Sequence, residues 1–506
     1  MKAADVYSVI LKYGFFPDRV CGMLSSENFG EWVIKNDAFI QSLDKNKVFK
    51  IQNYKATRNN NAPRYFGLIH PEAYCRLSYC IRTNWSKIFP TISSFSAYES
   101  TSMIRPSLSN KDRRLFSMKS YDKPENEYDL LLDKQMGAKF VVKLDIASCF
   151  PSIYTHSIPW ALVGKDVSKA NNDQNEWFER LDSACRKAQD KETIGLPIGS
   201  DTSNLFAEII LVQIDKLLTK KYKYIRFIDD YTCYCKDTSE AEEFIADLSR
   251  ELEKFRLKLN VKKSKIVTLP SPINESWVRQ LRQLSKKGEL KRGQKNDVID
   301  FLDLASELFK KNPNESPIRY AVTVLSKKNI KDFITYKLIL NYILNLCVLY
   351  PYIIDQLGDL ILKGVHDFKI RRKDILDSVE VILNQIIDEH ILFARTDAIA
   401  WSFNYAIIYS LKINNSEKVM EIAQDQEDYT MLLMLYLYSK KNSLNMDFDS
   451  IIKRIANMSD KEATEAWLFE YEYCRIENKP FLDNPFLEKI RNDRVSFLDK
   501  SLLGVL

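Results

Sequence analysis

The segment KFVVKLDIASCF sets one aspartate, Asp145, among Phe140, Val141, Val142, Leu144 and Ile146. The apolar run reads as a buried β-strand, where an unpaired carboxylate is costly, so something positive must face it. Eighty-four residues further on comes KYIRFIDDYTCYCK, two β-rich runs flanking Asp229 and Asp230. It reads as a hairpin whose tip presents adjacent carboxylates. Two like charges side by side repel unless a cation neutralises them. A lone strand aspartate is usually structural and a turn "DD" is commonplace, but the combination is specific. Three carboxylates converging from a strand end and a hairpin tip make a cage for two Mg²⁺ ions, which also need phosphate oxygens and water to complete their octahedra. The chemistry expected is phosphoryl transfer with a nucleotide.

Between these runs lies ETIGLPIGSDTSNLFAEIILVQIDKLL, a loop leading into an apolar helix. Gly195 and Gly199 let the backbone approach a base pair or sugar closely, and Asp201, Thr202 and Ser203 offer caps for the helix. His156 has no second His or Cys at ligand spacing and reads, with Tyr154 and Thr155, as structural. Cys233 and Cys235 suit alternate positions of one strand rather than a zinc clamp. The nine cysteines are expected to be free thiols in a reducing cytoplasm.

Only 13 of 506 residues are glycine, below the usual share of about 7%, which favours helices over a turn-rich all-β architecture. From about residue 300 onward, apolar-periodic segments such as YKLILNYILNLCVLY and DILDSVEVILNQIIDEHILFA follow one another. They read as stacked helices of an irregular HEAT-like array without a strict period. The stretch Ile339 to Ile354 reads as one buried helix, too short to span a bilayer. The N-terminal MKAADVYSVILKYGFF lacks a small-residue cleavage site and reads against a signal peptide. Net charge is +6 overall, with 48 Lys+Arg against 38 Asp+Glu in residues 1–300 and 26 against 30 beyond. A polyanion should therefore prefer the first part, where Arg279, Arg282, Lys286, Lys287, Lys291, Arg292 and Lys295 form the strongest basic run.

The order strand-Asp, Gly loop with helix, then FIDD hairpin is that of a palm domain, and here the chain resembles the reverse transcriptases. LDIASCF looks like their first catalytic motif, GLPIGSDTSN their second, FIDD their third, and LKLNVKKSK the L-N-x-x-K-[ST] element that follows. Phe227 replaces the usual Tyr of the third motif, and Ile198 stands where many retroelement enzymes carry Gln. FPSIYTHSIPWALVGK, GLPIGSDTSNLFAEIIL and RYFGLIHPEAYCRLSYCIRTNW are similar to the abortive-infection subgroup, the AbiK-like and P2-prophage-type antiphage polymerases. The likeness covers roughly residues 60 to 270.

The resemblance implies an α+β chain: a fingers-like region over 1–135, a palm over 136–275, a basic junction over 276–300 and an all-α, HEAT-like domain over 301–506. It implies Asp145, Asp229 and Asp230 as catalytic metal ligands with the Ile146 carbonyl, two Mg²⁺ ions, and Mn²⁺ as a substitute. Phe150 matches the aromatic gate that excludes a ribose 2′-OH, so dNTPs are the expected substrate. Lys111, Arg113 and Arg114 stand where the fingers hold the triphosphate, with Gly199 in the second motif. Lys263 matches the lysine that protonates pyrophosphate, although Lys262 and Lys265 crowd it. The subgroup implies a bacterial cytoplasmic enzyme working without template from a protein hydroxyl, single-stranded DNA covalently attached to it, and a closed homo-oligomer with no membrane partner. A tyrosine on a mobile chain end suits the priming role, which points to Tyr7 or Tyr13, with Tyr7 slightly preferred for lying nearer the end. A conventional reverse transcriptase with a bound structured RNA, as in retrons, is the alternative, and a non-catalytic palm-derived scaffold a third.

Overall fold

The structure, a computed structural model, describes residues 1–93, 101–108, 113–116, 124–171, 173, 175–285, 295–481 and 484–499. The described chain is α+β, with helix dominant and two antiparallel sheets. Strands β1 (Gln52–Thr57) and β2 (Pro63–Leu68) form a hairpin. Strands β3 (Phe140–Asp145), β4 (Lys223–Phe227), β5 (Asp230–Cys235) and β6 (Lys265–Thr268) form a sheet in the order β4-β5-β3-β6. Aromatic and β-branched residues fill these runs, as a pleated, half-buried surface favours. Cys233 and Cys235 occupy alternate positions of β5 with their sulfurs 3.7 Å apart.

The helix Thr238–Lys254 covers β3 and β5. Its buried residues Ala241, Phe244, Leu248 and Leu252 fall at helical spacing, and the Asp237 carboxylate caps its start by accepting from the Glu240 N–H at 2.8 Å. The helix Asp201–Leu218 packs beside it and is buried along most of its length.

From Lys295 onward the described residues are helical: Lys295–Lys311, Pro317–Ser326, Phe333–Leu349, Leu357–Asp367, Arg372–His390 and Thr396–Tyr409 are the first six. Each packs on near neighbours in sequence, but their lengths run from 10 to 19 residues and show no constant repeat. The apolar stretch Ile339 to Ile354 is not one helix. It breaks at Tyr350 and resumes as a 3₁₀ turn over Pro351–Gln356, because Pro351 has no N–H to continue the ladder. Among the described residues no helix is long and apolar enough to cross a membrane.

The helical half folds back onto the N-terminal part. Thr396–Tyr409 lies against β1, where the Thr57 N–H and hydroxyl donate to the Asp397 carboxylate at 2.6 and 2.8 Å. Near the far end the Ser25 N–H donates to the Phe497 carbonyl at 2.8 Å and the Asp499 N–H to the Met23 carbonyl at 2.7 Å. The Phe497 ring joins Phe15, Phe29 and Trp467 in one aromatic cluster. The buried side chains form one connected hydrophobic core across both halves.

Candidate functional site

Strand register alone assembles the carboxylates. Asp145 at the end of β3 lies opposite Asp230, the first residue of β5. Asp229 sits in the β4–β5 turn, and its carbonyl accepts from the Ile146 N–H at 3.2 Å. The turn places Ile228 at φ +55°, a region a β-branched residue enters only at a cost. Burial, reinforced by the charges of Asp229 and Asp145, pushes the Asp230 carboxyl up to about 7. Burial and Asp145 also raise Asp229. The cluster thus has carboxylates that resist ionising together, and a bound cation would relieve that repulsion.

The positive group that Asp145 requires is Lys263. Its Nζ donates to Asp145 Oδ1 at 3.0 Å, and the Asn260 amide donates to Oδ2 at 2.9 Å. Burial pulls the Lys263 ammonium down, but the hydrogen bond and charge of Asp145 outweigh it and its pKa rises. Lys262 and Lys265 are exposed and form no ion pair among the described residues, so of the three basic residues Lys263 is the one at the cluster.

Behind the turn lies a buried network that the sequence reading did not single out. Arg226, fully buried on β4, uses all five N–H groups: on Asp215 at 2.9 and 2.6 Å, on Glu208 at 3.0 and 3.1 Å, and on the Ile228 carbonyl at 2.9 Å. Tyr224 and Ser102 donate to the same two carboxylates at 2.7 and 2.9 Å. The helix Asp201–Leu218 thereby holds the tip of the hairpin through one guanidinium. Glu208 and Asp215 are seven residues apart on one helix face, and Arg226 interrupts the apolar YIRF run; that misfit cation was the available signal.

The second motif serves the loop rather than a ligand. Ser200, not Asp201, is the N-cap, accepting from the Ser203 N–H at 3.3 Å. Asp201 is fully buried and accepts from Arg114 and from the Leu115 N–H. Gly199 has φ +117°, and a Cβ there would fall 2.4 Å from Pro17, so its close approach is to its own chain. Arg114 is corrected in the same way. All its N–H groups are taken by Asp201, Asp18 and the Phe16 and Gly199 carbonyls, which leaves none for a triphosphate. Arg113 is 72% exposed, 3.8 Å from Glu27, and Lys111 lies outside the described residues. Besides Lys263, the charge of Arg64 on β2 lowers the Asp229 carboxyl, and its buried Nε has no hydrogen-bond partner.

Phe150 follows Asp145 on the short helix Cys149–Ser152. It is 9% exposed and lines a small cavity with Ile104, Phe116, Glu208 and Ile228, so it abuts the hairpin tip. His156 bonds Asp182 at 3.0 Å, and Arg186 takes the same oxygen at 2.8 Å. Glu179 completes a close trio with them, but the Arg186 cation already answers the Asp182 charge.

Neither N-terminal tyrosine lies on a mobile end. The helix Ala3–Tyr13 packs into the core, where Tyr7 is 3% exposed and its hydroxyl has no hydrogen-bond partner; burial strongly raises its pKa. The Tyr13 hydroxyl is half-buried and donates to Glu27 at 3.0 Å. The mobility argument fails for both, because Val6, Ile10 and Leu11 anchor the helix.

An antiparallel sheet that gathers three carboxylates at a strand end and an adjacent hairpin tip is the palm of a nucleotidyltransferase. Comparison with known families agrees: residues 92–315 match the reverse transcriptases (RNA-dependent DNA polymerases), so the chain carries a reverse transcriptase domain. No curated protein matches the chain. Among solved structures it is similar to telomerase from Candida albicans in complex with a TWJ fragment of telomeric RNA, at 12% identity over 68% of this chain and 63% of that one, TM-score 0.31. It is also similar to apo telomerase from Candida tropicalis, at 12% identity over 75% and 73%, TM-score 0.34. A form of the latter truncated from its C-terminal domain gives 16% identity over 45% and 51%, TM-score 0.29. The chain thus spans less than two thirds of the first and third of these.

Proposed function

We propose that this chain is a DNA polymerase of the reverse-transcriptase type that adds dNTPs at Asp145, Asp229 and Asp230. The observation that carries the reading is the register that sets Asp145 against Asp230 with Asp229 beside them. The three carboxylates, with the Ile146 carbonyl, fit two Mg²⁺ ions, which when bound would stabilise the charge developing on the transferred phosphoryl group. Lys263 holds a proton at Nζ beside Asp145, placed to pass it to departing pyrophosphate. Arg64 supplies positive charge toward the phosphates from the β1–β2 hairpin. Phe150 walls the sugar side of the cleft.

The likeness to the abortive-infection subgroup extends the proposal: an antiphage enzyme of the bacterial cytoplasm, a homo-oligomer, that makes single-stranded DNA without template from its own hydroxyl. Tyr13, half-buried where Tyr7 is buried, is the more accessible of the two priming candidates. A second reading, RNA-templated synthesis, is favoured by the family description itself. Purified protein given Mg²⁺ and dNTPs separates them: product without nucleic acid supports the first, product only with added RNA the second. Asp229→Asn with Asp230→Asn should abolish incorporation in either case while circular dichroism stays unchanged. Full incorporation by that double variant would sink the polymerase assignment. Mass spectrometry of nuclease-treated protein tests priming, and an adduct away from Tyr13 removes it.

A further inference from the structure

Away from the carboxylates, the helices Pro71–Ser93 and Trp177–Lys187 and the loop 40–49 enclose a cavity of about 680 Å³, within the size range of small-molecule sites. Lys45, Arg76, Arg180 and Lys187 line it, and no Asp or Glu does among the described residues. Arg76 pairs outside the lining with Glu72. Lys45 and Arg180 are exposed and form no ion pair among the described residues.

Two groups on the cavity wall feel these positive charges. The Lys187 ammonium is held by the Lys45 carbonyl at 3.0 Å and the Asn46 amide oxygen at 3.3 Å. Burial lowers its pKa, Arg186 and Arg76 lower it further, and only Asp44 opposes them. The Cys80 thiol, also on the cavity wall, is raised by burial while the charges of Arg180, Lys45 and Arg76 pull it down. The charges of Lys45 and Arg180, without an ion-pair partner among the described residues, would be balanced by an anion, and a guanidinium group suits phosphate. The remaining wall is not that of a bare phosphate site: Tyr79 presents a half-buried ring. Such a ring offers a nucleobase a face for stacking.

We propose that this cavity binds a nucleoside 5′-phosphate, either free or as a unit of a single DNA strand, with the phosphate at Lys45 and Arg180 and the base against Tyr79. The site goes beyond the polymerase reading and does not rest on it, since none of its residues belongs to the carboxylate cluster.

The test is calorimetric titration of the full-length Asp229→Asn, Asp230→Asn protein in EDTA, so that no metal-nucleotide complex forms at the carboxylates. The probes are dAMP, dATP, an eight-nucleotide oligo(dT) and inorganic pyrophosphate. Saturable binding of dAMP or oligo(dT) is expected. Lys45→Glu and Arg180→Glu, both at exposed positions, should each weaken it about tenfold or more, the worth of one charge-assisted contact, with unchanged melting temperature. Lys45→Arg should retain it. Competition between dAMP and the oligonucleotide identifies the strand as a source, and dAMP binding without competition identifies the free nucleotide. Absence of saturable binding, equal affinity for pyrophosphate and dAMP, or indifference to both Glu substitutions overturns the proposal. The readout is binding alone, so failure of the polymerase assignment leaves it standing.

Discussion

Asp145 and Lys263 form an ion pair at the place where Asp145 would hold a metal, so the lysine must yield one oxygen when a cation arrives. Phe150 is the sugar gate of the proposed polymerase. Phe150→Val should raise the rNTP-to-dNTP incorporation ratio tenfold or so by opening space for a 2′-OH, at a stability cost of about 1–3 kcal/mol for lost packing. Equal use of both by the wild type, or an unchanged ratio in the variant, removes the gate. Ile228 holds its left-handed conformation against an intrinsic cost of roughly 1–2 kcal/mol. Ile228→Gly should leave the melting temperature nearly unchanged, because relief of strain offsets lost contacts, yet slow incorporation as the adjoining aspartates lose their fixed aim. At this scale the three aspartates were readable because each contradicts its apolar neighbours. Arg114 was not, because its partners Asp18 and Asp201 are 96 and 87 residues away, and an arginine that clamps a loop looks in sequence like one awaiting phosphate.

The β4–β5 hairpin and the helix Asp201–Leu218 act as one element through Arg226. Removing one partner of a buried ionic network costs far more than the network's net worth, because the remaining charges stay behind unpaired. Arg226→Ala should therefore lower stability by about 3–5 kcal/mol, read as denaturant midpoint. Arg226→Lys, which keeps the charge but not the five-donor fork, should stay folded at low temperature with reduced kcat and nearly unchanged KM for dNTPs. A kcat equal to wild type would mean that the network supports the fold without positioning the turn. Strands β3 to β5 were legible from their apolar and aromatic runs, and the hairpin from its paired carboxylates. The helix start was misplaced by one residue: Ser200 and Asp201 are both good caps, and only the buried demand of Arg114 draws Asp201 inside. The break at Pro351 was written in the sequence and lost under the hydrophobicity around it.

Across the molecule, the docking of the helical half on β1 and on residues 23–32 was invisible in the sequence, since it depends on contacts between segments more than 300 residues apart. It leaves buried acids that tune stability. Burial pushes the Glu470 carboxyl up to about 7, and burial raises Asp397 to about 6 against the hydrogen bonds of Thr57. Both folded pKa values exceed the unfolded ones, so the native state binds the protons more tightly; the resulting stability is complete below about pH 4 and is lost as pH rises through 6 and 7. Glu470→Gln should thus match the wild type at about pH 4 and be the more stable at pH 8, by on the order of 1–3 kcal/mol; an identical melting profile at both pH values would rule this out. The pairing of residues 23–25 with 497–499 has one more consequence, for the order of synthesis. The Trp32 indole waits for Asp493 and Asn28 for Ser496, 461 and 468 residues later, an interval of roughly half a minute to a minute and a half at 5–20 residues per second. Until then the aromatic patch around Phe15 stays open on the ribosome, so a prematurely terminated message yields a chain fit for chaperones and proteases rather than a partial enzyme at work in the cell.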